Sequence, residues 1–569
     1  MSTETPTPAT PQLTKNELLK IKDPTLGGTL GEFLNDPALD HISDEDEQFI
    51  KFHGIYQGDD RDVRKTGKKY IFMVRARIPA GVVPAAQYLV FDSLATQYAN
   101  DTLRITSRQS LQWHHVVKSG IQKLIKGLND ALVTTIAACG DVNRNVMAPP
   151  TPSTSALVDQ VIEDSKRLNE ALLPQTRAYH EIWINGQPLK DSDEQKQAFE
   201  DPLYGRQYLP RKFKVAFAIP PLNDTDVLTN CLGFIAIADP ANPSRLLGYN
   251  LTVGGGQGMS HGNAATYPRV ADVLGFITPE QLIPAAKAVL TAYRDSGDRT
   301  NRKHARLKYV VAERGAAWFR SEVEKRAGFA LGEARAYRFE RQGDLFGWHR
   351  QSDGKWFLGV YVESGRIRDN GTLRLKSALR AIAQAVGADY RLTPNQNLLI
   401  IGVDDAQKAA ITTLLTAHGI DASQQVSRVR HNSMACVALP TCGLALAESE
   451  RALPVLLGHV ETVLGELGLA DEEIIVRVTG CPNGCARPYM AEIAFVGRAP
   501  GKYAILIGGN SGSTRLNKDF KSSVKIDDIP AELRAILGRW KAERLGAEAF
   551  GDFASRVLLP EAAAAKSQN

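Results

Sequence analysis

Cys436 and Cys442, in MACVALPTCGLA, and Cys481 and Cys485, in TGCPNGCARP, place four of the chain's six cysteines within fifty residues. The spacing is C-x5-C and then C-x3-C. A single zinc ion, reached by both sulfurs of each pair, usually takes tighter C-x2-C pairs, whereas a larger iron–sulfur cubane accepts the wider spacing. Pro440, Gly443, Gly480, Pro482 and Gly484 flank the cysteines. Such residues bend the backbone into loops whose amide N–H groups can point at sulfur. An iron–sulfur cluster is therefore the leading reading, ahead of structural zinc, four reduced buried thiols, or disulfides. The last would need an oxidising compartment, and MSTETPTPATPQLTKNELLK has no apolar segment of the secretory type. Cys139 and Cys231 stand alone and read as buried small hydrophobes.

The elements that must carry these residues are spread over 569 positions, too many for one core, so two to four domains are expected. With 43% hydrophobic and 23% charged residues and no apolar run of spanning length, the composition is that of a globular protein without membrane segments. A net charge of +5 is too small on a chain of this size to indicate nucleic acid by bulk field. Residues 1–20, rich in Pro and Thr, read as disordered. From Tyr70 the pattern is a strand (YIFMVRARI), the turn Pro79-Ala80-Gly81, a helix over Ala85–Ala99, strands over Thr102–Val117 and a helix over Ile121–Cys139. A similar order returns at 354–367, Leu373–Val386, 389–403 and Ala406–Ala417. RITSRQSL at 104–111 and RLTPNQNL at 391–398 share Arg, Thr, Gln and Leu at equal offsets, so two related α+β halves are expected.

Between the halves, LPRKFKVAFAIP (209–220) reads as a strand that turns Lys212 and Lys214 to one face and Phe213 and Val215 to the other. Two ammonium groups would then converge on one spot, although lysines also blunt edge strands. DVNRNV (141–146) and the pair Arg75 and Arg77 add further cations. The glycines of VGGGQGMSHG (253–262) fit neither nucleotide fingerprint, since the third glycine of G-x-G-x-x-G falls on Met259. No NADPH or FAD site is expected on this chain. That loop, and AILIGGNSGSTR (504–515), could still bring backbone close to a flat or carboxylate-bearing ligand.

These segments, with YLPRKFK, DVNRN, LGRWKAER and FGDF, resemble the sirohaem- and 4Fe-4S-containing sulfite and nitrite reductases, over about Phe52 to Phe553. Within that family the pattern is most similar to the haemoprotein (beta) subunits of the assimilatory NADPH-dependent type. Gly443 stands where close members often have proline, and ARPYMAE also resembles ferredoxin-dependent members.

The resemblance implies an α+β, three-domain architecture with two ferredoxin-like repeats related by pseudo-two-fold symmetry. It divides the chain into an N-terminal arm (1–69), a repeat domain (70–140 and 345–423), a sirohaem- and substrate-binding domain (141–344) and a cluster- and sirohaem-binding domain (424–569). It makes Cys436, Cys442, Cys481 and Cys485 the ligands of one 4Fe-4S cluster, with Cys485 also the axial ligand of sirohaem. Arg75, Arg144, Lys212 and Lys214 would surround the substrate anion. Arg104, Thr106, Arg108, Gln112, His114, Gly254, Gly255, Gly256, Arg302, Lys303, Lys308 and Arg515 would meet the macrocycle or its carboxylates. The implied reaction is six-electron reduction of sulfite to sulfide toward cysteine, with nitrite to ammonia as alternative and a zinc-stabilised basic nucleic-acid binder as remote alternative. An NADPH-oxidising flavoprotein (alpha) subunit, or ferredoxin, would supply electrons, with no nucleic acid or membrane involved, in the cytoplasm.

Overall fold

The computed structural model describes residues 12–152, 155–175, 182–184, 187–189 and 193–567. Part of the stretch read as disordered is ordered, because Lys15–Lys22 forms a helix whose buried Lys20 and Glu17 meet Leu209 O and Arg299. Two five-stranded sheets follow. The first has the order Ile55–Asp59, Tyr70–Arg75, Leu111–Val116, Leu103–Ile105, Arg366–Ile367; the second has Gly347–Arg350, Trp356–Val360, Leu398–Val403, Asp389–Leu392, Val82–Val83. Each half thus contributes an edge strand to the other's sheet, Arg366 pairing with Arg104 and Val82 with Arg391.

The exchange works through two matching turns. Ala80 and Gly81 have φ of 54° and 71°, and Ser364 and Gly365 have φ of 53° and 68°. A Cβ on Gly81 would lie 2.3 Å from Leu392 O, and one on Gly365 2.7 Å from Ile105 O, so glycine is required where each turn crosses the opposite half. The shared Thr holds both hairpins in the same way: Thr106 Oγ1 accepts from Arg108 N and Ser110 N, and Thr393 Oγ1 from Asn395 N and Asn397 N. Asp389 of the second half even accepts from Ala85 N at the start of the first half's helix Ala85–Tyr98. The next helix is shorter than its periodicity suggested. Lys118–Asp130 stops before Leu132 and Ala137, both left-handed, and the remaining residues run back to Phe52 O and on to Cys139.

A second duplication lies in the four-stranded sheet and the third five-stranded sheet. Val215–Ala218 pairs in parallel with Leu232–Asp239, starting Val215 with Leu232. Val476–Thr479 pairs in parallel with Ile493–Ala499, starting Val476 with Ile493. Between the paired strands, Asp226 and Arg487 are each left-handed and each precede a short 3-10 turn. A hairpin partner follows in both, Asn242–Val253 and Lys502–Ile507. The cysteine loops and the lysine segment therefore enter and leave equivalent strands of two related sheets.

Candidate active site

The C-x3-C loop joins Val476–Thr479 to the turn Pro488–Met490, and the C-x5-C loop follows the strand Ser433–Ala435 paired beside it. Gly480 N donates to Cys436 Sγ (3.3 Å), Asn483 Nδ2 to Cys481 Sγ (3.4 Å), and Leu444 and Ala445 N–H groups face Cys442. Burial first, then the Cys485 sulfur, pushes the thiols of Cys436, Cys442 and Cys481 up, the last to about 12. All three sulfurs thus sense Cys485, whose residue is the exposed one of the four. Among the described residues no three His, Cys, Asp or Glu side chains converge as the shell of a single metal ion. Four free cysteines on two loops, with amide donors aimed at three of the sulfurs, fit a 4Fe-4S cubane.

Cys485 also acts on Arg75, Lys212 and Lys214. Lys212 and Lys214 precede the strand Val215–Ala218 rather than lying on it, but the alternation holds: Phe213, bridged to Asn143, is fully buried, and both lysines are half-buried. Burial, then Arg211 and Arg306, lowers Lys212 to about 7. Burial, then Lys212 and Arg108, takes Lys214 well below the ordinary lysine value. Cys485 is the one counter-charge among the strongest influences on either lysine. Arg75 donates to Cys139 Sγ (2.9 Å) and, from Nη2 and Nε, to the Gln112 amide oxygen (2.5 and 3.1 Å, with the amide turned to suit both groups), and stands over Tyr56. Arg144, 8% exposed, is fixed by the carbonyls of Gly140 (2.9 and 2.7 Å) and Ala138, which hold it without neutralising it.

The surroundings fit a flat, many-carboxylate macrocycle. Arg108 donates to Asn230 Oδ1, Asn145 O and Val215 O, yet its buried Nε has no partner, nor have Arg306 Nε, Asn145 Oδ1 or either amide atom of Asn143. Burial lowers Arg108 to about 9. Gly254 has φ of 80°, a Cβ on Gly255 would lie 2.2 Å from Leu228 O, and one on Gly256 would lie 3.0 Å from Arg306 Nη2. Side-chain-free backbone and under-neutralised cations thus line one side of the Cys485 loop, which Met259 N reaches through Pro482 O (3.0 Å).

Several expected rim contacts are elsewhere. Arg104 is buried and donates to Glu450 Oε2 (3.1 Å), Ile105 O and Ala435 O; His114, kept neutral by burial and Arg366, meets Arg366 Nη2 (3.0 Å). Both serve the ion-pair cluster around Glu450, because the carboxylate of the cluster-bearing unit docks between the two repeats. Arg302 is tied to Asp141 (2.7 and 3.1 Å), Lys303 is exposed, and Arg515 is held by Asp552 (2.6 Å) and three carbonyls. Lys308 is in the site, lowered to about 6 by burial and Arg306, but its Nζ holds the carbonyls of Gly258 and Tyr267. Thr106 holds its own turn. Arg211 and Arg306 belong to the cation group although neither was singled out by name; the signal for them is their place in RKFK (211–214) and in the basic segment RTNRKHARLK (299–308).

Family comparison agrees with this geometry. Residues 63–131 and 349–418 match the nitrite/sulfite reductase ferredoxin-like half domain, the two exchanged halves, and 163–331 match the nitrite and sulphite reductase 4Fe-4S domain, a stretch that stops short of the four cysteines. The chain is 48% identical over 551 residues to a protein of Myxococcus xanthus named sulfite reductase [NADPH] hemoprotein beta-component, covering 96% of each. A protein of the same name from Lysinibacillus sphaericus is 46% identical over 547 residues, 95% of each. The solved structure of the Mycobacterium tuberculosis NirA protein superposes with a TM-score of 0.75 at 26% identity, over 96% of both chains. With such identity over nearly its whole length and both half domains matched, this chain is a member of the sirohaem- and 4Fe-4S-containing nitrite and sulfite reductase family.

Proposed function

We propose that Cys436, Cys442, Cys481 and Cys485 hold one 4Fe-4S cluster, that Cys485 also binds the sirohaem iron, and that the chain reduces sulfite to sulfide there with six electrons. The observation that carries this is the position of Cys485, which acts on the three other thiols and on Arg75, Lys212 and Lys214 alike. When bound, the paired cofactors supply single electrons at a thiolate-backed iron.

The chain's own residues do the rest. Arg75 and Arg144, locked by Cys139, Gln112 and carbonyls, present fixed N–H donors to sulfite oxygens and lower the charge on an oxygen that must leave. Lys212, lowered to about 7, has the acidity that suits a proton donor at neutral pH. Burial, then Lys212, takes Lys214 well below the ordinary lysine value, so the arriving anion's negative charge raises both toward the protonated form. Arg108, with Gly254, Gly255 and Gly256, seats the macrocycle.

Electrons come from an NADPH-oxidising flavoprotein partner. Support is the name borne by the relatives, an NADPH-dependent beta-component, together with the absence of a nucleotide fingerprint in VGGGQGMSHG. Among the described residues no helix is long and apolar enough to cross a membrane, and the chain acts in the cytoplasm, where thiols stay reduced. The test is a visible spectrum and iron and sulfide content of the purified chain, with turnover measured on sulfite and nitrite. Sirohaem absorption and preferred sulfite turnover support the proposal; a colourless zinc protein overturns it.

A further inference from the structure

Cys231 looks inert in the sequence and is fully buried, yet it does not sit in an apolar shell. Arg306 Nη2 donates to its sulfur (3.4 Å), the sulfur in turn donates to Lys212 O (3.9 Å), and the Lys214 backbone N–H points at it as well. Arg306 is 7% exposed, and its Nε has no partner. The same guanidinium depresses Lys212, Lys214 and Lys308, so it is the hub of the cation group.

The second duplication identifies what this position is for. Cys231 immediately precedes the strand Leu232–Asp239, and Glu492 immediately precedes the equivalent strand Ile493–Ala499. Glu492 Oε2 accepts from Ile475 N (3.0 Å), the residue before Val476, as the Cys231 sulfur accepts from Lys214 N, the residue before Val215. One structural slot therefore holds a side-chain acceptor in both copies. In one copy it is a carboxyl; in the other it is a sulfur facing an arginine.

We infer that Cys231 is a positioning residue for the reduction: its sulfur is the hydrogen-bond acceptor that holds Arg306 in the cation cluster. The inference rests on the function proposed above. The charged and titratable groups facing Cys231 are Arg306, Lys214, Arg108, Lys308 and Tyr293, and four of the five are cationic groups. Burial raises the Cys231 thiol, but Arg306 and the Lys214 N–H outweigh it and lower the thiol from its ordinary value. With the sulfur anchored, Arg306 keeps a fixed distance to Lys212 and Lys214, so the readiness of those groups to hold a proton is set by geometry.

The test uses the cofactor-loaded chain. Turnover of Cys231→Ala should fall about tenfold, the size of one charge-assisted hydrogen bond, with the sulfite KM and visible spectrum retained. Cys231→Ser, which keeps an acceptor, should lie between, and Cys231→Asp, which supplies a carboxylate acceptor, should recover most of the loss. Wild-type turnover in Cys231→Ala, or a Cys231→Ser variant no better than Cys231→Ala, overturns the inference. Normal wild-type sulfite turnover in the same preparations keeps that failure separate from failure of the proposed function.

Discussion

Asp226 and Arg487 occupy the same place in the two copies of the duplicated sheet and pair with each other across the join (3.2 Å), with Arg477 added at 2.6 Å. The carboxylate is fully buried, and burial, the largest influence on it, is outweighed by the two arginines, so Asp226 is held below its ordinary value. This contact locks the unit that carries the lysines to the unit that carries the cysteines. It is the mechanical basis for Cys485 facing Lys212 and Lys214.

The orientation of the lysine segment gives the first prediction. Lys214→Met should lower turnover by roughly a hundredfold, the value of a positioned proton donor, and weaken sulfite binding less, since Arg75, Arg144 and Lys212 remain. Phe213→Leu, whose ring is buried on the opposite side, should be mild. Paired sulfite affinity and turnover for both variants is the check, and equal losses would show that the segment does not present its lysines as argued.

Lys212, lowered to about 7 by burial and then by Arg211 and Arg306, gives a pH dependence. A lysine that donates protons must be protonated, so turnover should be sustained below about 7 and decline as pH rises through that value. Arg211→Gln removes the strongest neighbouring cation and should move the decline to higher pH. A profile unchanged by Arg211→Gln would exclude Lys212 as the titrating group.

Glu450 receives Arg366 (2.7 and 2.9 Å) and Arg104 (3.1 Å), and these arginines hold its carboxyl down to about 2 despite burial. Glu450→Ala leaves two buried guanidinium groups without their counter-charge, which costs about 3–5 kcal/mol. Denaturant unfolding should register that loss. The pKa is depressed on folding, so the Glu450 contribution is present above the ordinary glutamate value and is lost as pH falls toward about 2.

How much of this was legible in the sequence depended on whether a residue's task was local. Thr106 and Thr393 were visible as a repeat because each hydroxyl holds its own hairpin, a duty that preserves the residue type. The second duplication was invisible because its equivalent residues, Asp226 with Arg487 and Cys231 with Glu492, share backbone geometry and position rather than chemistry. Cations were legible as cations but not by partner: Arg104, Arg302 and Arg515 are neutralised by Glu450, Asp141 and Asp552, carboxylates that only the fold brings near. Arg75 and Arg144, by contrast, are anchored by sulfur, amide and carbonyl groups, which leave their charge for a ligand. The end of the helix Lys118–Asp130 was missed because left-handed Leu132 and Ala137 carry no glycine to announce them.

The electron source gives a further prediction. The purified chain should reduce sulfite with reduced methyl viologen and should not oxidise NADPH until an NADPH-oxidising flavoprotein is added. Stoichiometric NADPH binding by the chain alone would contradict the reading of the 253–262 loop as free of a nucleotide site.

The most direct measurement concerns the sulfur placed at the junction of the two centres. Visible and electron paramagnetic resonance spectra of Cys485→Ser should lose or alter the sirohaem and cluster signals together, with sulfite turnover abolished, whereas Cys139→Ser should keep both sets of signals. Retention of both normal spectra by Cys485→Ser would contradict the assignment of Cys485 as the shared ligand.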